Sequence, residues 1–403
     1  MQLAWRNLWR NVRRTVLTII AIAFATGIVV FSHGLQVSTH ETSILATTRI
    51  FQGALQVQRK DYFDDPQIYR TISEPDQAIG RINSLPGVTA TTGRAIGFAL
   101  LSSKERTYGV QIVGVDPQSE KELSTIPALV REGAYLESID SSEILVGAAL
   151  ARNLNVQVGE EITLLGQGKD GSLAAAILKV SGVYESGSSE IDRALAQIPL
   201  ATFRDLFYMS NESHILVAQV DSLANLKGIQ SQIIKELDDP ALAVLRWDQI
   251  TPGLKQAQEF DRITNWIFLV SLILIVVFGI LNTFLMSILE RTKEFGMLLA
   301  LGMRPIKITG LILCECLQLV TIGAIAGSIL GAIVILYFNH SGFVIPGTKE
   351  FLSLWNLPEA LYPRVTIEAL ITGPLTVLGC SLLLVIPFSL RPYWLKPVEA
   401  MQS

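Results

Sequence analysis

Four stretches of the chain stay apolar long enough to cross a bilayer: residues 16–36, 262–289, 306–337 and 365–390. A helix needs about 20 apolar residues to span the roughly 30 Å hydrocarbon core. The third stretch is long enough to tilt or to project beyond the bilayer. Between the first two lies a long segment, 37–261, in which apolar and polar positions alternate as they do in soluble domains. The pattern therefore predicts four transmembrane helices, with a large globular domain inserted between helices 1 and 2. The first stretch reads as an uncleaved anchor, since His33 to Val37 offers no small-residue cleavage site of the secretory type.

Within 37–261 the periods are mixed. Residues 54–58, 108–115 and 215–220 alternate like strands, whereas 76–85 and 223–237 carry helical periodicity. From about 116 to 201 short strand patterns dominate, among them 143–147, 161–165 and 174–182, separated by glycine turns. The expectation is an α+β module interrupted by a β-rich insert at about 116–201.

Charge then orients the spans. The whole chain carries a formal charge of −4. Segment 37–261 holds 29 acidic and 19 basic residues, so the acid excess lies there and the remainder is basic. Arg6, Arg10, Arg13 and Arg14 precede the first span without an acid among them. Arg291, Lys293, Arg304 and Lys307 lie between spans two and three, and Arg391 and Lys396 follow span four. The positive-inside rule puts these clusters in the cytoplasm, which an even number of spans permits. Both termini are then cytoplasmic, with 338–364 an extracytoplasmic loop and 391–403 a cytoplasmic tail. In residues 1–15, Trp5, Leu8, Trp9 and Val12 share a helical face opposite the arginines, as expected of a helix lying on the inner leaflet. An acidic centre between basic flanks excludes a nucleic-acid binder.

Candidate chemistry is sparse. The four histidines are scattered, and His40-Glu41 lacks the second histidine of a zinc-protease helix. Gly166, Gly168 and Lys169 do not have phosphate-loop spacing. No catalytic, cofactor-binding or metal-binding residue is assigned. Cys314, Cys316 and Cys380 lie in apolar runs and read as packing. Gly323, Gly327 and Gly331 stripe one face of the third span and suit close helix packing, within a bundle or between subunits. Glu315 is an acid inside that span. Such a group is a functional-site hypothesis by default; the simpler expectation pairs it with Lys307 or Arg304.

The segment 290–305 is too polar for a span and too short for a domain, with a charged start, an amphipathic turn or two and a proline stop. Glu290, Arg291, Glu294, Gly296, Ala300 and Gly302 match E-R-x-x-E-x-G-x-x-x-A-x-G. This resembles the coupling helix of FtsX-like permeases, the group that includes MacB and the lipoprotein-releasing permeases LolC and LolE. Arg131 to Tyr135, Ile144 to Leu154, Ile198 to Leu200 and Lys396 to Ala400 also look like that family.

The resemblance implies a permease subunit of an ABC transporter in the bacterial inner membrane, with no enzymatic activity of its own. ATP and magnesium would sit on two copies of a separate ATPase subunit. A second permease chain, identical or a sibling, would pair with this one among membrane lipids, and a periplasmic chaperone or adaptor is a further candidate partner. The ATPase-coupling residues would be Glu290, Arg291, Lys293, Glu294, Phe295, Gly296, Met297, Ala300, Leu301 and Gly302. Motion there would reach the outer domain along spans one and two, by mechanotransmission. By position, Phe31, Leu35, Ile263 and Ile267 are candidates for an outer-leaflet substrate cavity. The layout is closest to LolC and LolE, which implies extraction of lipoproteins or other lipidated substrates. The alternatives are a MacB-type efflux permease for peptides or antibiotics and an FtsX-like regulator of a cell-wall hydrolase.

Overall fold

The structure is a computed structural model and describes residues 2–390 and 393, apart from 105, 345 and 348–359. Two compact units emerge, residues 1–40, 257–345 and 360–403 in one, and 41–256 with 346–359 in the other.

The first unit is a helical bundle. A short helix α1 (Gln2–Leu8) passes through a 3-10 turn into α2 (Val12–Ile50), which belongs to this unit as far as His40. Among the described residues, four helices are long and apolar enough to cross a membrane. The 39 residues of α2 extend to about 58 Å at 1.5 Å per residue, nearly twice the hydrocarbon core. The bundle core joins Ile22 and Val29 to Ile273, Val277, Ile312 and Val377. Ala4 and Leu8 are buried while Trp5 and Trp9 are exposed, so the helix predicted for 1–15 turns part of its apolar face onto the bundle.

The second unit begins with residues 41–50 of α2. Then follow β1 (Leu55–Arg59), β2 (Ile72–Ser73), α3 (Pro75–Asn83), β3 (Val88–Ser102), β4 (Thr107–Val115), α4 (Pro117–Leu123), β5 (Val130–Gly133), β6 (Glu143–Gly147) and α5 (Ala148–Leu154). After these come β7 (Glu161–Gln167), β8 (Leu173–Tyr184), α6 (Ser189–Ala194), β9 (Leu195–Pro199), α7 (Leu200–Leu206), β10 (Glu212–Ser213), β11 (Ile215–Val220), α8 (Leu226–Leu237), β12 (Leu242–Arg246) and α9 (Trp247–Ile250). The chain then returns to the bundle through α10 (Pro252–Glu290), α11 (Thr292–Ala300), α12 (Pro305–Ser341) and α13 (Ile367–Ser389).

The strand β3 divides its length between two layers. Its first half pairs β11, which leads through β1 to β12, and α3 and α8 pack on that sheet. Its second half pairs both β4 and β7. From there β4 pairs β9, β9 pairs β6, β6 pairs β8, and β8 returns to β7, so six strands close into a ring. Closure removes free edges and encloses Leu101, Ile112, Val146, Leu164, Leu178 and Ile198. The β-rich module thus takes in residues from Ala95 onward, earlier than the expected boundary at 116. Gly93 and Gly97 resemble breaks in the sequence. In the fold they allow close packing: a Cβ on Gly93 would stand 2.7 Å from Ser213 Oγ, and one on Gly97 3.1 Å from the Phe203 ring.

Candidate functional site

The segment between α10 and α12 is built as a hung helix. α10 stops at Glu290 and Arg291 leaves helical geometry (φ −99°, ψ 11°). Nine residues then form α11. Its end is a Schellman closure: the Gly302 amide donates to Leu299 O and the Met303 amide to Leu298 O, both at 3.0 Å. This closure needs the left-handed backbone that Gly302 adopts at φ +87°. Arg304 is extended, and Pro305 starts α12 at a first-turn position where its missing N–H does no harm.

Two residues hold α11 to the bundle. Phe295 is buried in the bundle core, and the Arg291 guanidinium lies 5.1 Å from its ring centre. Arg291 Nη1 donates to both oxygens of Glu315, at 3.0 and 2.9 Å, and its Nε donates to Glu294 at 3.0 Å. Asn7 Nδ2 of α1 donates to Glu315 at 2.7 Å. Arg10 reaches Glu294 at 2.8 Å and Arg14 reaches Glu290 at 2.8 Å. A cavity of about 60 Å³ lies among these groups, lined by Asn7, Arg14, Ser287, Arg291 and Glu315.

Electrostatics favour the charged forms of Arg291 and Glu294. Burial works against the Arg291 charge, but Glu315 and Glu294 outweigh it and raise its pKa. Partial burial likewise opposes the Glu294 charge. Hydrogen bonds from Arg291 and Arg10 overcome that and lower its pKa. Truncating one partner of such a buried pair costs about 3–5 kcal/mol, because the other charge is left uncompensated.

Glu315 therefore pairs with Arg291 and Asn7, not with Lys307 or Arg304. Lys307 is exposed two turns away along α12, and Arg304 precedes that helix. The remaining motif residues divide into two sets. Arg291, Phe295 and Gly296 are buried, whereas Lys293, Met297, Ala300 and Leu301 are exposed, Leu301 at 79%. Glu290 and Gly302 are exposed and Glu294 is half-buried. A partner meeting this face would touch Met297 and Leu301; Phe295 is unavailable to it.

The glycine stripe is an intrachain seat for α2. A Cβ on Gly323 would stand 2.6 Å from Ile22 Cγ2, one on Gly327 2.5 Å from Ala23 O, and one on Gly331 2.9 Å from Val30 Cβ. The four cavity candidates are not drawn into one pocket. Phe31 packs on the rings of Phe338 and Phe343, Leu35 is half-buried, and Ile263 and Ile267 are exposed a turn apart on α10.

A second polar joint sits in the other unit, at the far end of α2. Arg94 and Glu120 are both fully buried and paired. Arg94 Nε donates to Glu120 at 3.1 Å, Nη1 donates to the carbonyl of Phe51, and the guanidinium lies 4.3 Å from the Phe51 ring centre. Phe51 is the first residue beyond α2, so this pair caps the helix where its last carbonyls need partners. The Arg49 carbonyl receives the Thr125 amide at 2.9 Å. Sequence reasoning missed this joint; its one trace is a lone arginine in the small-residue stretch 89–99. Nearby, His214 is fully buried, accepting at Nδ1 from the Ile96 amide and facing Ile68 O with Nε2. Burial lowers its pKa to about 4. Among the described residues no cluster of three or more His, Cys, Asp or Glu side chains is placed to hold a metal.

Comparison with known proteins covers both units. Residues 15–236 match the model of the MacB-like periplasmic core domain, and residues 266–395 match that of the FtsX-like permease C-terminal region. The lipoprotein-releasing system transmembrane protein LolC of Neisseria meningitidis is 22% identical over 254 residues, covering 62% of this chain and 61% of that one. Its namesake in Xylella fastidiosa is 22% identical over 379 residues, covering 89% and 90%. The pyoverdine export ATP-binding/permease protein PvdT of Pseudomonas fluorescens is 24% identical over 356 residues, covering 83% of this chain and 52% of its own length.

Proposed function

The chain belongs to the family of MacB-like periplasmic core domains joined to an FtsX-like permease region, and on that premise we propose that it is a mechanical relay for a separate ATPase. It is an inner-membrane ABC-transporter permease of the LolC and MacB kind. In this reading both termini and α11 are cytoplasmic, as the basic clusters favour. Two ATPase subunits hold ATP and magnesium, and they grip α11 on a pair of permease chains.

The observation that carries this reading is the mounting of α11. Its exposed face, Met297, Ala300 and Leu301, is free to meet a partner, while its buried side is tied to α1 and α12 by Arg291, Glu315 and Asn7. A push on α11 then displaces α1 and, through the continuous chain, α2. At the other end of α2 the Arg94–Glu120 joint grips the helix terminus, so displacement is not lost in a slack linker. The work is done outside the membrane. The substrate we favour is a lipoprotein or similar lipidated molecule, in keeping with the names of the LolC relatives. The match to a pyoverdine exporter over most of this chain supports export of a small amphiphile as the second reading.

The test is reconstitution of the chain with its ATPase in liposomes carrying a diacylated peptide. Met297→Asp with Leu301→Asp should lower chain-dependent ATP hydrolysis at least tenfold and stop peptide release, with insertion intact. Undiminished hydrolysis in the double variant would sink the assignment of α11. Release of unacylated amphiphiles but not of the diacylated peptide would favour the export reading.

A further inference from the structure

The small cavity beside α11 is lined mainly by hydrogen-bond donors. Its walls join Asn7 of α1, Asn11 of the 3-10 turn, Arg14 of α2 and Ser287 of α10. Glu315 already accepts from Asn7 and Arg291. Arg291 commits Nε and Nη1, and Arg14 commits Nη1 to Glu290. Each guanidinium therefore keeps N–H groups for a further acceptor. The Asn11 amide and the Ser287 hydroxyl, which also line the cavity, make no side-chain hydrogen bond among the described residues. Donors outnumber acceptors around this space.

Charge points the same way. Arg6, Arg10, Arg13 and Arg14 occupy residues 1–15 without an acid, and Arg291 adds to them against Glu290, Glu294 and Glu315. Positive charge is in excess. Two of those acids hold their partners at the surface: the side chains of Glu290 and Glu294 are 50% and 45% exposed. Ion pairs at such exposure stabilise little, so an anion can take their place on Arg14 and Arg10. Size is also suited. The cavity measures about 60 Å³. One water occupies about 10–15 Å³ of such space, which leaves room for about four oxygen atoms, the content of one tetrahedral oxyanion.

We propose that this cavity is a binding site for a phosphate group, held by Arg10, Arg14, Asn11 and Ser287 in competition with Glu290 and Glu294. Inorganic phosphate from the cytoplasm and the phosphate of an acidic phospholipid present the same oxygens, and basic pockets between membrane helices suit such head groups. Occupancy draws Arg10 off Glu294 and loosens that tie of α11, while the tie from Arg291 to Glu315 stays. The site thus regulates the mount of α11, and in this it rests on the reading of α11 as the point of ATPase contact.

The test titrates the full chain in nonionic detergent with inorganic phosphate and, separately, with a short-chain phosphatidic acid, by calorimetry at neutral pH. Saturable millimolar or tighter binding of at least one probe is expected. Arg14→Gln should weaken it at least tenfold. So should Ser287→Leu, which fills the cavity without altering charge. Lys307→Gln, which removes an exposed charge outside the cavity, should leave it unchanged. Glu290→Gln removes a competitor and should tighten binding about two- to fivefold, the worth of one exposed pair; misfolding cannot imitate a gain. At saturation the α11 amides should exchange hydrogen at least twofold faster. Binding of inorganic phosphate identifies the free anion as ligand, and binding of the lipid alone identifies the head group. Absence of saturable binding by both probes, equal weakening in Lys307→Gln, no tightening in Glu290→Gln, or unchanged α11 exchange would each overturn the proposal. No ATPase is present, so failure here leaves the relay reading standing on the Met297 and Leu301 variants. If those variants hydrolyse ATP undiminished while phosphate still binds, the relay reading fails and the site remains.

Discussion

Replacing Arg94 with methionine tests the joint at the end of α2 directly. The substitution keeps an unbranched apolar stem of similar length, so packing against the Phe51 ring is largely preserved. It strands the Glu120 carboxylate, which has no exposure to water, and removes the donor to the Phe51 carbonyl. An uncompensated buried charge costs about 3–5 kcal/mol. With a urea dependence of about 3 kcal/mol per molar for a unit of this size, the midpoint should fall by about 1–1.7 M. The full chain in detergent micelles is the material, because urea acts there mainly on the globular unit, and hydrogen exchange of β3 amides is the readout. The double variant Arg94→Met with Glu120→Leu separates charge from packing. It removes both ions and leaves one orphaned carbonyl, worth about 1–3 kcal/mol, so it should recover about half of the lost midpoint. A shift below about 0.3 M in the single variant, or a double variant worse than either single one, would refute the role assigned to the pair.

Two more tests address other parts of the fold. Gly327→Val places a branched side chain where even a Cβ would lie 2.5 Å from Ala23 O; overpacking should cost about 1–3 kcal/mol. Thermal aggregation in detergent should come at least 3 °C earlier, while Gly310→Val, at a site with nothing within 4 Å, should leave it unchanged. His214 predicts an acid weakness in the globular unit. Its folded pKa of about 4 lies below the ordinary 6.5, so as pH falls the unfolded chain takes the proton first. Its contribution is complete above pH 6.5 and declines toward pH 4 by up to about 3 kcal/mol. Protection of the Ile96 amide against hydrogen exchange should follow that curve, and His214→Gln should flatten it.

Several features were legible because they depend on local composition. A run of twenty apolar residues has one stable solution in a bilayer, so 16–36, 262–289, 306–337 and 365–390 stand out without any tertiary information. The turn chemistry around α11 is equally local: Gly302 supplies a left-handed backbone, whereas Pro305, read as a stop, is the first residue of α12. The length of β3 was not legible locally: its fifteen residues include Gly93 and Gly97, which are set against Ser213 and the Phe203 ring. The start of the six-stranded ring at Ala95 likewise depends on which strands the second half of β3 pairs.

Partner choice among charges was beyond the sequence. Glu315 has basic residues nearer in sequence than Arg291, yet burial of Phe295 swings α11 so that the more distant arginine arrives. Arg94 and Glu120 are 26 positions apart, and nothing short of the folded sheet brings them together. The glycine stripe could serve either a bundle or a subunit contact until Ile22, Ala23 and Val30 were found seated on it. Hydrophobic length and turn geometry are properties of a few neighbouring residues, and the sequence alone settles them. Which face meets which, and which charge is compensated by which, depends on contacts distant in the chain, and these exist only once the tertiary structure has formed.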